Sequence, residues 1–133
     1  MALNVFSAKN YKTKLKVTIQ ATGKLGFTTQ TADVLGLSPN TFIKIACDDS
    51  QIEDLYMIIC KGEDEDGFKV SLISGFYSLQ TTILFNELGI DYKNNTVIFD
   101  LIRDSRLDQE ANGTVYKMSK RIKNRNKKEL IMK

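Results

Sequence analysis

Three lysines recur at every second position near the start of the chain, Lys12, Lys14 and Lys16, and Lys24 follows the glycine of a predicted turn. Alternate residues of a strand share one face, so this spacing makes a stripe of cations with Lys24 at the adjoining turn. Such a stripe can track a phosphate backbone or enter a groove, because phosphate binding needs cations at fixed positions. It is also readable as the solvated face of an ordinary sheet. A second basic run closes the chain: Lys120, Arg121, Lys123, Arg125, Lys127, Lys128 and Lys133, against the single acid Glu129. That run can add affinity without sequence preference, or serve only as a solvated end.

Other chemistry is thinly supplied. Histidine is absent, which removes the commonest general base and metal ligand and makes Ser-His and Cys-His pairs impossible. A carboxylate pair or a lysine could still react, but no spacing singles one out. A non-enzymatic protein without a cofactor is expected. The four acids Glu63 to Asp66, flanked by Gly62 and Gly67, lack the alternating ligand spacing of calcium loops, so a solvated turn is expected there and no metal. Cys47 and Cys60 sit inside apolar stretches and read as buried thiols, with a disulfide left open; nothing points to an oxidising compartment. The N-terminus lacks the layout of a secretion signal, and no apolar run can span a bilayer. The expectation is a cytoplasmic protein with no membrane partner.

The chain has 133 residues and a net charge of +3, which hides a segregation. Residues 1–119 hold 12 basic and 15 acidic side chains, a net of −3, so the body is not basic overall. Its start carries the lysines, and its middle carries Asp48, Asp49, Glu53, Asp54 and Glu63 to Asp66. Segregation of this kind suggests an anionic partner that engages selected parts of the chain.

The elements that must position these residues come twice. Slid by 53 positions, Leu-Lys-Val-Thr-Ile at 15–19 falls on Phe-Lys-Val-Ser-Leu at 68–72, Thr28-Thr29 on Thr81-Thr82, and Leu35-Gly36-Leu37 on Leu88-Gly89-Ile90. With a slip, 41–47 meets 96–102. Each unit reads as strand, turn, short strand, short helix, strand, strand. In the first, residues 14–20 alternate, Gly23 turns the chain, Thr28 or Thr29 caps a helix and Gly36 stops it. Residues 55–60 form a strand apolar on both faces. In the second, strands fall near 67–74, 76–79 and 114–119, with a helix near 81–88. The expected fold is mainly β with two short helices (α+β): two ββαββ pseudo-repeats forming one antiparallel barrel-like domain. Its parts are residues 1–61, an acidic linker 62–67, residues 68–119, and a basic tail 120–133.

Residues 15–49 resemble the swapped-hairpin DNA-binding domains of the AbrB, MazE and SpoVT group, which carry a strand, a Gly-Arg turn, a short strand, a helix ending in Leu-Gly-Leu, and a further turn and strand. The tandem use of two units resembles the MraZ branch. This resemblance implies two units interlocked in one barrel, a DNA partner and a role in transcription regulation. The chain departs from the pattern in three places. Lys24 replaces the family's arginine, keeping charge but losing its bidentate fork. Threonines stand where the family has a proline, and Phe76-Tyr77 stands where the second unit should carry a basic turn. By that alignment only the first unit keeps a DNA-facing charge. The nucleic-acid-binding candidates are therefore Lys12, Lys14, Lys16, Lys24, Lys120, Arg121, Lys123, Arg125, Lys127 and Lys128.

Two alternatives compete with duplex binding. Single-strand binders of the Whirly or PUR-alpha kind also duplicate a unit of strands and a helix, and stack bases on aromatics; Phe27, Tyr56, Phe76, Tyr77 and Tyr116 are the candidates. A structural or interaction module without nucleic acid, with a homodimer left open, is the other.

Overall fold

Period-two alternation produces the strands, and glycines and threonines punctuate them. The computed structural model describes residues 1–6, 8 and 15–124. In chain order the elements are β1 (Lys16–Ile19), β2 (Leu25–Phe27), α1 (Thr29–Leu35), β3 (Phe42–Asp48), β4 (Gln51–Cys60), β5 (Phe68–Lys69), β6 (Ser71–Ile73), β7 (Phe76–Leu79), α2 (Thr82–Glu87), β8 (Asn95–Arg103), α3 (Asp108–Ala111) and β9 (Gly113–Asn124). A 3-10 turn over Ser105–Leu107 leads into α3. The polar connection 104–113 is thus largely helical, which raises the helix count from the expected two to three.

Local chemistry sets the helix ends. The Thr28 hydroxyl accepts the Thr31 N–H at 3.1 Å and caps α1. At the other end Gly36 takes a left-handed φ of 67°, and Leu37 N–H returns to the Ala32 carbonyl at 3.0 Å. After α2, Gly89 (φ 70°) and the bond from Ile90 N–H to the Phe85 carbonyl repeat this. A left-handed residue followed by such a bond satisfies carbonyls that the helix leaves orphaned.

The strands form one antiparallel sheet of nine, in the order β5-β3-β4-β9-β8-β1-β2-β7-β6, rolled into a nearly closed barrel. Pairing crosses between the two units. The hairpin of β1 and β2 is flanked by β8 and β7, both from the second unit; β3 pairs with β5, and β4 with β9. The two edge strands, β5 and β6, are separated in the chain by Val70 alone. The chain itself therefore bridges the two ends of the sheet. Inside lie Val17, Ile19, Leu25, Phe27, Ile43, Met57, Leu79, Phe85, Val97, Phe99 and Met118, drawn from both units. Neither unit could bury these faces alone.

Several boundaries differ from the sequence reading. Strand β9 runs on to Asn124, so residues 120–124 belong to the sheet rather than to a tail. Strand β4 begins at Gln51, and Asp48 Oδ1 closes the preceding turn by accepting the Ser50 N–H (2.9 Å) and hydroxyl (2.7 Å). The acids of this region thus stand on a tight hairpin instead of a loop. The cysteines are free thiols; Cys47 is exposed and Cys60 half-buried, not buried as expected. Cys47 continues the alternation of Ile43 and Ile45, but the register breaks immediately after it, at the hairpin end. Partial burial, with Asp64 nearby, raises the Cys60 thiol's pKa. In the linker, Asp64 accepts the Asp66 N–H at 2.9 Å and pairs with Lys44 at 3.3 Å.

The turn alignment needs a correction. The first hairpin has a three-residue loop, Ala21 to Gly23, with Gly23 at φ 89° and Gln20 N–H bonded to the Lys24 carbonyl at 2.8 Å. The second has a two-residue loop, Ser74 (φ 51°) and Gly75 (φ 82°), between the paired Ile73 and Phe76. Two left-handed residues make the hairpin turn whose twist suits the strands. The second loop is one residue shorter, so Gly75 matches Gly23 and Phe76 matches Lys24. The glycine is kept and only the charge is lost.

Candidate nucleic-acid interface

Lys16 opens β1, and its backbone is held by α1: the Thr31 hydroxyl accepts its N–H at 3.2 Å and donates to its carbonyl at 3.1 Å. With Val17 and Ile19 facing the core, Lys16 and Thr18 face outward. Lys24 is fixed from the second unit. The buried hydroxyl of Thr81 donates to the Gly23 carbonyl and accepts the Leu25 N–H, each at 3.0 Å, so bonds flank Lys24 on both sides. The Thr82 hydroxyl adds a bond to the Thr22 carbonyl at 2.9 Å. These contacts leave the Lys24 side chain on the same outer face as Lys16.

The register then brings in the other basic run. Across β2, β1, β8 and β9, one row reads Gly26, Thr18, Ile98, Arg121, and the next reads Lys16, Asp100, Ser119. A third row joins Ile102, Lys117 and Tyr56. Lys123 sits two residues beyond Arg121, opposite Thr96. The outer face therefore carries Lys16, Lys24, Lys117, Arg121 and Lys123. Three strand spacings separate β2 from β9, so Lys24 and Lys123 stand roughly 14 Å apart across the sheet. That is close to the ~12 Å width of a B-DNA major groove.

Carboxylates temper this face. Arg121 forms two bonds to Asp100, at 2.8 and 3.1 Å, and Lys117 lies 4.0 Å from Asp54. Lys16, Lys24 and Lys123 take part in no ion pair among the described residues. Lys120 does not join the face. It shares the inward parity of Phe99 and Met118 and lines a 410 Å³ opening with Leu55, Ile90, Phe99 and Glu53. Lys12, Lys14, Arg125, Lys127 and Lys128 lie outside the described residues.

Two features escaped the sequence reading. Lys117 was not singled out, and the basic face was assigned to the first unit. The missing signal was period two through 113–124: Tyr116 and Met118 point inward, while Lys117, Ser119, Arg121 and Lys123 point outward. Taking residue 120 as the start of a tail cut that alternation. Among the stacking candidates, Phe27 and Tyr116 are buried in the core, Tyr56 and Tyr77 are half-buried, and Phe76 is exposed.

A second concavity, of 510 Å³, lies outside β3, β4 and β9 under the 105–111 segment. Ala46, Tyr56, Ile58 and Val115 line it together with Asp48, Asp104, Arg106 and Glu110. Asp104 is held below the usual aspartate range by its bonds to Arg106, and Asp108 by its bonds to Arg103. Among the described residues no group of three or more His, Cys, Asp or Glu could hold a metal ion, and no helix is long and apolar enough to cross a membrane.

The fold and face define a class: two interlocked ββαββ units sharing one barrel, with a basic outer sheet face built from both. Comparisons with known protein families, curated proteins and solved structures find no match.

Proposed function

We propose that this protein binds nucleic acid, duplex DNA foremost, through the outer face of β2, β1, β8 and β9. A regulatory role at DNA is what the family resemblance implies for such a binder. One observation carries the reading: strand exchange between the units places Lys16 and Lys24 of the first beside Lys117, Arg121 and Lys123 of the second. Strand pairing holds the backbones of these cations in place, so little loop entropy is lost when phosphates dock. Single-strand stacking draws less support, because Phe27 and Tyr116 are buried in the core and Tyr77 packs against it.

The test is fluorescence anisotropy with labelled duplex and single-stranded probes over a range of salt. Duplex affinity is expected to fall with a log–log slope of about −3, from about three to four phosphate contacts. Lys16→Ala, Lys24→Ala and Lys123→Ala together should weaken binding at least about tenfold, with fewer contacts and a shallower slope. No retention at low salt, or binding that the triple variant leaves unchanged, overturns the proposal. Preference for single strands would move the reading to the alternative.

A further inference from the structure

We infer that the β6–β7 hairpin is a self-association surface, on which a second copy of this chain pairs edge to edge with β6. The hairpin departs from the rest of the surface in composition. From Val70 to Asn86 the sequence contains no charged residue, in a chain of which 26% is charged. Within that stretch Leu72, Ile73 and Phe76 are 43%, 60% and 66% exposed. Ile73 and Phe76 are cross-strand partners beside the turn, so their side chains form one apolar patch on the outer face. Leu72 adds to the other face.

The backbone is open at the same place. β6 ends the sheet order, with β7 as its strand neighbour among the described residues. Val70 N–H still reaches the Thr41 carbonyl at 2.9 Å, and there the chain parts from β3. Ser71 to Ile73 therefore present one strand edge with no strand against it among the described residues. Exposed edges in soluble proteins are usually blunted by lysine, proline or a covering segment. None of the residues 71–77 is a lysine or a proline.

The occupant follows from charge and symmetry. About a quarter of this chain's residues (26%) are charged, and a strand bearing such charges would have to desolvate them against Leu72 and Ile73. A second β6 brings no charge. An antiparallel pair centred on Leu72 is a two-fold contact in which each copy offers the same patch, so the assembly closes at two copies. Backbone bonds supply the attraction, Leu72 stands opposite Leu72 of the second copy, and each Ile73 lies across from the other copy's Ser71.

Sedimentation velocity of the full chain over a wide concentration range tests this, with Ile73→Lys and Leu72→Lys as edge variants. Ile83→Lys, at a separate exposed position on α2 (75% exposed), is the control, and thermal melts check that each variant folds. A concentration-dependent dimer is expected, with a dissociation constant raised about tenfold or more by Leu72→Lys, which sets two like charges opposite each other across the new pair, and by less for Ile73→Lys, whose lysines stand only on the diagonal. Ile83→Lys should dimerise like the parent. A second readout, amide exchange, should show the Leu72 N–H, which by alternation with the Val70 N–H faces the open edge, protected in the dimer and exposed on dilution. A monomer at every concentration overturns the inference. So does a dimer indifferent to Leu72→Lys, or one whose Leu72 amide stays protected on dilution; the last result would assign the edge to this chain's own residues.

Discussion

The two hairpins that cross between the units meet their partners differently. β1 is paired on both sides, with β8 through all four of its residues and with β2 through Val17 to Ile19. Its counterpart is divided: Phe68 and Lys69 pair with β3, Val70 intervenes, and Ser71 to Ile73 pair only with β7. Thr81 latches the first hairpin's turn onto α2, whereas nothing stands within 4 Å of a Cβ added at Gly75 in the second turn. One seam of the barrel is shut and the other is splayed. The cations lie along the shut seam, and Leu72, Ile73 and Phe76 stand exposed at the splayed one. An interlocked pair of similar units has thus become specialised by seam rather than by unit, since each seam draws strands from both.

The turn glycines offer the largest effect by which to break this comparison. Both take a left-handed φ, so alanine is strained at either. At Gly23 a Cβ would also lie 2.8 Å from the Tyr92 hydroxyl and 2.9 Å from Thr82 Cγ2. Gly23→Ala should destabilise by about 3 kcal/mol, combining backbone strain with overpacking. Gly75→Ala should cost about 1 kcal/mol, from backbone strain alone. Urea denaturation of the two variants measures both. Equal losses would mean that the first turn is not locked against the second unit.

The latch itself comes next. Thr81→Val keeps shape but leaves the buried Leu25 N–H without its acceptor, and should cost about 2 kcal/mol. The matching Thr28 serves its own helix as a cap instead, so Thr28→Val should cost about 1 kcal/mol. If the Thr81 effect is the larger, it should also loosen the shut seam first: amide exchange of β1 and β2 should accelerate in Thr81→Val and stay slow in Thr28→Val. Uniform acceleration across the barrel in both variants would remove the distinction.

Much of this architecture could be read along the chain, because local rules govern it. Alternation at Val17 and Ile19, the glycines at 36 and 89, and the threonine cap are each decided within a few residues. The crossing of the hairpins carried no such local mark; only the family resemblance implied interlocked units. Lys69, the counterpart of Lys16, faces Phe42, so the pairing equates Phe42 with Asp100. The sequence match of 41–47 to 96–102 had aligned them otherwise. Register between distant strands is settled by the fit of the two units, not by either strand. The basic face was half visible for the same reason. Lys16 and Lys24 stand out by spacing, but their neighbours Arg121 and Lys123 are about a hundred residues away, in a basic run that by composition reads as a tail. Arg121 also proved to be held by Asp100, which no spacing along the chain announces.

The smallest expected effect concerns the two hairpin connections that end these seams. β3 and β4 are joined by a tight turn, and β8 and β9 by the helical 105–111 segment. Asp48 in the first and Asp108 in the second are both held below the usual aspartate range. Their causes differ in reach. Asp48 is lowered chiefly by bonds from Ser50, two residues on, which a loosened chain can also form. Asp108 is lowered first by Arg103, whose Nη1 donates at 2.7 Å, and it also accepts the Val115 N–H at 3.0 Å. Those contacts exist only when the segment is folded back on the sheet. A depressed carboxylate contributes stability that is fully present above the ordinary value of about 3.9 and is lost as pH falls through its lower folded value. Asp108→Asn should therefore lower the urea midpoint at pH 7, with the gap to the parent narrowing as pH drops below 3.9. Asp48→Asn should show a smaller gap of the same sign. Urea titrations at pH 7, 5 and 3 check both, and a gap for Asp108→Asn that is as wide at pH 3 as at pH 7 would show that Asp108 acts through shape rather than charge.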